Sequence, residues 1–399
     1  MLRTSDLEYE LPAGRIAVRP VEPRDAARLM VVDRARGTVE HRFVRDLPEV
    51  LRGGDLLVTN ESRVLAARFL GRNEATGGAV EGLYLREALG EVGGGAVPID
   101  GDAPACRWVA MLKARRFRPG AVVRLARSGG GASAYSVVLL GRVEAGGAEW
   151  VVQVRRDGGG AASTPAVLDE VGLPPIPPYI LGARRDVEAG AASEASGQGA
   201  GGSARWGDDL GSYQTVFAGS AVASGDGTEL GSVAAPTAGL HFTAGLLGRL
   251  GAAGVGRAGV VLHVGPGTFK PVEAEFVEQH AMHAEWCRMG GSTRGAIERT
   301  RESGGRVVCV GTTSARTVEA FAGAEGHAEW LHTRLLVTPG YAWRWTDGLL
   351  TNFHLPRSTL MALVAAMLPG DVGELKRLYA EAIGRGYRFY SYGDAMLVV

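Results

Sequence analysis

Cysteine is scarce in this chain. Cys106, Cys287 and Cys309 are the only three, too widely spaced for a CxxC element. Such sparse, odd usage excludes a disulfide scaffold and fits a reducing compartment. Charge of one sign is lacking too: 43 basic side chains offset 43 acidic ones. No global field therefore marks a polyanion partner, although a local basic face stays open. The longest apolar run, 360–368, is too short to span a bilayer, and the first ten residues carry no apolar segment of the secretory kind. The expectation is a cytoplasmic chain with no membrane association. An HExxH helix is absent, as is any cysteine cluster beside the histidines, so no metal is expected.

Glycine, in contrast, is abundant, with 60 residues. Much of it lies in Gly/Ala/Ser-rich stretches at 90–105, 128–134, 157–163 and 188–207. These stretches have too little apolar surface to offset their ordering entropy and read as flexible loops; the longest gives a loop over 185–210. The remaining sequence, 46% hydrophobic over 399 residues, suffices for two or three domains. Short β-rich runs at 78–86, 108–113, 121–126, 136–140 and 149–154, separated by turn residues, predict a small antiparallel sandwich or barrel.

Strands at 29–33, 55–59, 258–264 and 306–310 alternate with helical patterns starting at Thr243, at 293–302, at 313–321 and at 372–383, which predicts mixed α/β architecture. The fold expected is a larger discontinuous α/β domain (1–70 and 156–399) of unusual topology, with a small inserted antiparallel β-barrel domain at 71–155.

Two dense blocks stand apart from packing. Gly231-Ser-Val-Ala-Ala-Pro-Thr-Ala-Gly-Leu-His-Phe-Thr243 and Leu262-His-Val-Gly-Pro-Gly-Thr-Phe-Lys-Pro-Val272 combine Gly/Pro turns with His, Thr and Lys, so that backbone can approach a ligand closely. Five of eight histidines (His241, His263, His280, His283, His354) fall in polar-rich blocks, which hints at acid–base work near neutrality. The segment from Val307 to Glu319 is a buried strand, then Gly311-Thr312-Thr313-Ser314 and a helix, a natural anion seat to which Arg316 adds a charge-assisted fork. It is neither a Walker A loop nor a GxGxxG fingerprint. Asn352 and His354 precede Pro356, and Tyr392 with Asp394 sits in an aromatic run near the C-terminus. Arg24, Asp25, Asn60, Tyr179, Tyr213 and Gln214 are further candidates on loops after strands or prolines.

Taken together, these blocks resemble one family, the S-adenosylmethionine:tRNA ribosyltransferase-isomerases of queuosine biosynthesis. The matching pieces run in order: Tyr9-Glu-Leu-Pro12, Glu22-Pro-Arg-Asp25, Val58-Thr-Asn-Glu-Ser-Arg-Val64, Pro177-Pro-Tyr-Ile180, Tyr213-Gln-Thr215, and the two dense blocks. His280–Glu285, Gly311–Glu319, 351–360 and 387–397 complete the series. Glu61 and Tyr390 depart from the family pattern, which commonly has Asp or Asn and Phe there.

The resemblance implies transfer and isomerisation of the ribosyl part of S-adenosylmethionine onto 7-aminomethyl-7-deazaguanine at the tRNA wobble position, giving epoxyqueuosine-tRNA, adenine and methionine. S-adenosylmethionine is then a substrate, with no tightly bound cofactor. The partner is tRNA, through an anticodon stem-loop carrying that base, and a monomer is expected. On this resemblance His241, His263 and His354 are the candidate proton-transfer residues. Thr237, Thr243 and Thr268 would orient ribose hydroxyls, Gly311–Ser314 with Arg316 would hold the methionine carboxylate, and Tyr392 would face the sulfonium or a base. Arg63, Lys270 and Arg357 would contact phosphates. Competing readings are a paralogue with a different acceptor and a non-catalytic RNA-binding protein on the same scaffold.

Overall fold

The computed structural model describes residues 1–88, 106–113, 117–144, 147–194, 206–219, 231–265, 271–324, 326 and 328–399. Its strands are Arg28–Asp33 (β1), Thr38–Phe43 (β2), Leu56–Asn60 (β3), Arg68–Asn73 (β4), Ala79–Glu87 (β5), Arg107–Lys113 (β6), Val122–Ala126 (β7), Ala132–Arg142 (β8) and Glu149–Arg156 (β9). Gly256–Leu262 (β10), Glu285–Arg288 (β11), Val307–Val310 (β12), Trp330–Thr333 (β13), Gly348–Asn352 (β14) and Ala395–Val398 (β15) follow. The helices are Leu47–Val50 (α1), Thr164–Val171 (α2), Pro178–Glu194 (α3), Trp206–Ser212 (α4), Ala244–Ala252 (α5), Gly291–Glu302 (α6), Thr312–Ala322 (α7), Thr359–Ala365 (α8) and Asp371–Gly384 (α9).

One nine-stranded sheet runs in the order β13-β11-β10-β3-β12-β14-β15-β1-β2. Its middle strands β10, β3, β12 and β14 are parallel. Parallel strands covered on both faces read as unbroken apolar runs, and β3 (Leu-Leu-Val-Thr-Asn) and β12 (Val-Val-Cys-Val) are buried throughout. One face packs Val58, Cys309 and Leu349 beneath α7, α8 and α9; the other packs Leu57, Val308 and Leu350 against α5. Helix α5 starts where the sequence places it, because Thr243 Oγ1 accepts the Leu246 amide at 3.1 Å as an N-cap. Helix α9 buries Leu375, Leu378, Tyr379 and Ala382, the face its periodicity sets out.

The second unit is a closed barrel, β4-β5-β6-β9-β8-β7. Its interior holds Phe69, Tyr84, Trp108 and Trp150, and Trp108 Nε1 donates to Thr164 Oγ1 of α2 at 2.9 Å, closing one end. Strand β4 escaped the sequence reading. The boundaries placed at 71 and 155 fall inside β4 and β9, because the barrel's first strand begins three residues earlier, at Arg68, and its last ends one residue later, at Arg156.

The loop expected over 185–210 is corrected where described: 185–194 continues α3 and 206–210 lies in α4. Ala and Glu favour the helix, and Arg184 of α3 grips Asp209 of α4 in a fork of 2.6 and 2.8 Å. Residues 195–205, and the whole Gly-rich stretch 90–105, lie outside the described residues. The stretch 128–134 is a hairpin turn leading into β8. No helix of the described residues is long and apolar enough to cross a membrane.

Candidate active site

The parallel strands β3, β10, β12 and β14 all end at one edge of the sheet, at Asn60, Leu262, Val310 and Asn352. Ligands in such sheets sit beyond the carboxyl ends of the strands. Two neighbouring cavities open there, sharing Val264 and Leu360 as a common wall.

The larger cavity, of about 330 Å³, lies between this edge and the barrel. The sheet side presents His263, Glu285, Trp286 and Arg316, and the barrel side Tyr84, Arg86 and Glu149. His263 follows β10 directly and is held in place by its amide, which donates to the Trp286 carbonyl at 3.1 Å. Arg316, on α7, is only 4% exposed. It forms an ion pair with Glu285, and its Nε donates to the Leu335 carbonyl at 3.0 Å. Its Nη2 has no hydrogen-bond partner among the described residues. A buried guanidinium with an unused donor suits a carboxylate or another anion.

The smaller cavity, about 60 Å³, is bounded by Thr237, Gly311, Thr312, Asn352, His354 and Tyr179. Thr237 Oγ1 donates to Asn352 Oδ1 at 2.8 Å, and Asn352 Nδ2 donates to the Tyr390 carbonyl at 3.1 Å. Tyr179 and Ser391 share a hydroxyl hydrogen bond of 2.5 Å. His354 Nε2 lies 2.8 Å from Thr351 Oγ1. Burial pushes the His354 pKa down from its ordinary value to about 3, so the ring is neutral at physiological pH. Gly311 opens α7 at φ 90°, ψ 151°, a backbone region that only glycine enters without strain.

The structure thus brings together His263, Arg316, Thr237, Gly311, Thr312, Asn352, His354 and Tyr179. Arg316 and the Gly311–Thr312 turn face different cavities, so they do not form the single anion seat expected of them. Thr313 also lines the smaller cavity, its Oγ1 accepting from Asn60 Nδ2 at 3.3 Å, whereas Ser314 Oγ donates back to the Val310 carbonyl at 2.8 Å at the helix start. Thr268 and Lys270 lie outside the described residues. Arg63 is exposed, and Arg357 is exposed with a weak pairing to Glu8 at 3.7 Å.

Other candidates are corrected. His241 lines neither cavity. Its ring is buried with Nδ1 3.0 Å from the Ala238 carbonyl and Nε2 2.9 Å from the Gly393 carbonyl, leaving no nitrogen to face a substrate. Burial lowers its pKa, against the two carbonyls, which act to raise it. Thr243 donates to Asp25 at 3.0 Å while capping α5, so both belong to the cap. Asp394 is spent on the amides of Arg28 (3.0 Å) and Arg388 (2.8 Å).

Tyr392 and Tyr213 pack edge to face in a buried cluster. Arg24 donates to the carbonyls of Gln214 and Gly211, both at 2.7 Å, and Gln214 pairs with the backbone of Val64. Asn60 spends its amide on Leu262, Ser62 and Thr313, tying β3 to β10 and α7. These contacts shape the edge, and Arg24 and Tyr392 border, with His241, a third and smaller cavity.

Sequence reasoning did not place Glu285, Trp286 or the barrel residues Tyr84, Arg86 and Glu149 in a site. The block from His280 to Glu285 was a signal, and His280 and His283 do line the larger cavity. The barrel residues carry no motif; only the docking of the barrel brings them there. Among the described residues, no group of three or more His, Cys, Asp or Glu side chains is placed to hold a metal ion.

Comparison with known proteins gives consistent results. The family model described as queuosine biosynthesis protein matches residues 4–398. A protein of Symbiobacterium thermophilum named S-adenosylmethionine:tRNA ribosyltransferase-isomerase is 42% identical over 403 residues, covering 100% of each chain. One of the same name from an Anaeromyxobacter species is 43% identical, covering 100% of this chain and 99% of its own. Among solved structures, the S-adenosylmethionine tRNA ribosyltransferase of Thermotoga maritima is 29% identical, covers 99% of this chain and 100% of its own, and aligns with a TM-score of 0.49.

Proposed function

We infer the chemistry from one premise: the chain belongs to the queuosine biosynthesis protein family. It is an enzyme of the S-adenosylmethionine:tRNA ribosyltransferase-isomerase type. On that basis its acceptor is the 7-aminomethyl-7-deazaguanine base at the wobble position of tRNA, and its product is epoxyqueuosine-tRNA with adenine and methionine released. The enzyme works in the cytoplasm as a single chain.

One observation carries this reading. The larger cavity joins a histidine at a strand end, a buried guanidinium with a spare donor and an exposed tryptophan, all opening between two domains. Its volume of about 330 Å³ lies at the lower end of the usual range for small-molecule sites. The reaction asks for removal of a proton beside the sulfonium, delivery of a proton to the departing adenine, and attack by a free amine. His263 is the residue best placed for a proton transfer, a role that contributes about 10²–10⁴-fold. Arg316 takes the methionine carboxylate. His354 enters as a neutral ring that positions the Thr351 hydroxyl, and Thr237, Thr312 and Asn352 orient ribose hydroxyls in the smaller cavity. Arg63, Arg357 and Lys270 meet phosphates of the anticodon arm.

The test is turnover on an anticodon stem-loop carrying the aminomethyl base, with adenine release and RNA mass followed together. Adenine release matched by RNA gaining an epoxycyclopentanediol unit supports the reading. Adenine release with unchanged RNA mass, or none from folded protein that binds both substrates, overturns it.

A further inference from the structure

Strands β10, β11 and β13 lie side by side at one end of the large sheet. Their register puts Trp286 opposite His332 and Arg288 opposite Trp330. On the other side Leu262 pairs with Cys287, and the His263 amide donates to the Trp286 carbonyl at 3.1 Å. Alternate side chains of a strand point to opposite faces. Glu285, Cys287 and Thr333 are buried on the inner face, while Trp286 is 43% exposed and His332 is exposed on the outer one. His263, Trp286 and His332 therefore form one row across three strands, from the cavity wall to the outer edge of the sheet. A second row adds Arg288 and Trp330.

The rings are in mutual contact. Trp286 meets His332 edge-on, and Trp286 and Trp330 stand at 87° with centroids 6.3 Å apart. The Arg288 guanidinium lies over the Trp330 ring at 5.7 Å while pairing with Glu329 at 3.1 Å. Arg334, just past β13, is exposed. An exposed tryptophan in such company is not explained by core packing, since the inner face of the same strands already supplies the core.

We propose that this outer face of β11 and β13 is a stacking platform for the unpaired RNA nucleotides that flank the reacting base. The inference rests on the function proposed above. Chemistry on a base requires it out of the stack, which leaves its neighbours with uncovered faces. Sheet-borne aromatics next to cationic side chains take up such faces without reading sequence. The platform is continuous with the cavity through Trp286, so a nucleotide resting on it leads straight to the one entering the site.

The test uses variants away from the cavity lining, His332→Ala and Trp330→Ala, in the full-length enzyme. Each is expected to raise KM for the stem-loop by roughly 5- to 100-fold, the loss of one stacked base. KM for S-adenosylmethionine and kcat at saturating RNA stay near wild type, and His332→Phe recovers the RNA KM. Wild-type stem-loop KM in both alanine variants, at unchanged melting temperature, overturns the platform while leaving the proposed reaction intact. A shift in sedimentation with no change in RNA KM overturns it in favour of a face between two copies of the chain. Absence of adenine release by the wild type would instead count against the proposed reaction, and quenching of tryptophan fluorescence by the stem-loop, lost in Trp330→Ala and His332→Ala, would still report the platform.

Discussion

The His241 Nε2 lies 2.9 Å from the carbonyl oxygen of Gly393, which ties the 3₁₀ turn Thr237–His241 to the approach of the last strand, β15. The turn carries Thr237 into the smaller cavity, so His241 acts on the site from behind it. The histidine that stands out most in the sequence is a clamp.

Replacing it by alanine is accordingly expected to cost stability. His241→Ala removes the one N–H that the neutral ring donates to a buried carbonyl, a loss of about 1–3 kcal/mol, read from urea unfolding. Turnover per folded molecule should fall by much less than the ~10²–10⁴-fold that follows removal of an acid–base group.

Glu285 and Arg316 form a buried pair, with side chains 7% and 5% exposed. Breaking such a pair from one side strands a charge, at about 3–5 kcal/mol. Glu285→Leu should show that loss in denaturant midpoint, and the double variant Glu285→Leu/Arg316→Met should recover most of it. The double variant should nevertheless bind S-adenosylmethionine poorly, since the anion-binding donor is gone.

His354 gives a pH signature. Its folded pKa, about 3, lies below the unfolded value of about 6.5, so the unfolded chain binds the extra proton between those values. The neutral ring therefore costs nothing above about pH 6.5, and stability is lost progressively as pH falls toward 3. Unfolding free energy measured from pH 7 to pH 4 should drop less steeply in His354→Gln than in wild type.

Gly311 holds a glycine-only backbone conformation at the start of α7. An added Cβ would sit 3.5 Å from Ala238 Cβ, ordinary contact, so the cost of Gly311→Ala is backbone strain. It should destabilise by about 1–3 kcal/mol, visible as a lower melting temperature.

Much of the fold was legible because its signals are local. The cap at Thr243, the apolar stripe of α9 and the unbroken apolar run of β12 each fix an element from its own residues. Strand β4 was missed because Arg68-Phe-Leu-Gly-Arg-Asn has no clean alternation until its barrel neighbours are known. The site divides in the same way. Where described, the Gly/Pro-rich blocks lie at the carboxyl edge, and His263, Thr237 and Asn352 reach a cavity. Sequence could not tell which polar groups face the ligand and which are consumed by backbone, as in His241, Asn60 and Asp394. That depends on distant partners: Asp394 meets Arg28 from 366 residues away.

The most direct measurement is single-turnover adenine release by His263→Ala, with S-adenosylmethionine and stem-loop both saturating. A drop of roughly 10²–10⁴-fold, with binding of both substrates retained and His241→Ala near wild type per folded molecule, is the predicted result. Wild-type release from His263→Ala, or a loss of that size confined to His241→Ala, would contradict the placement of the chemistry in the cavity between sheet edge and barrel.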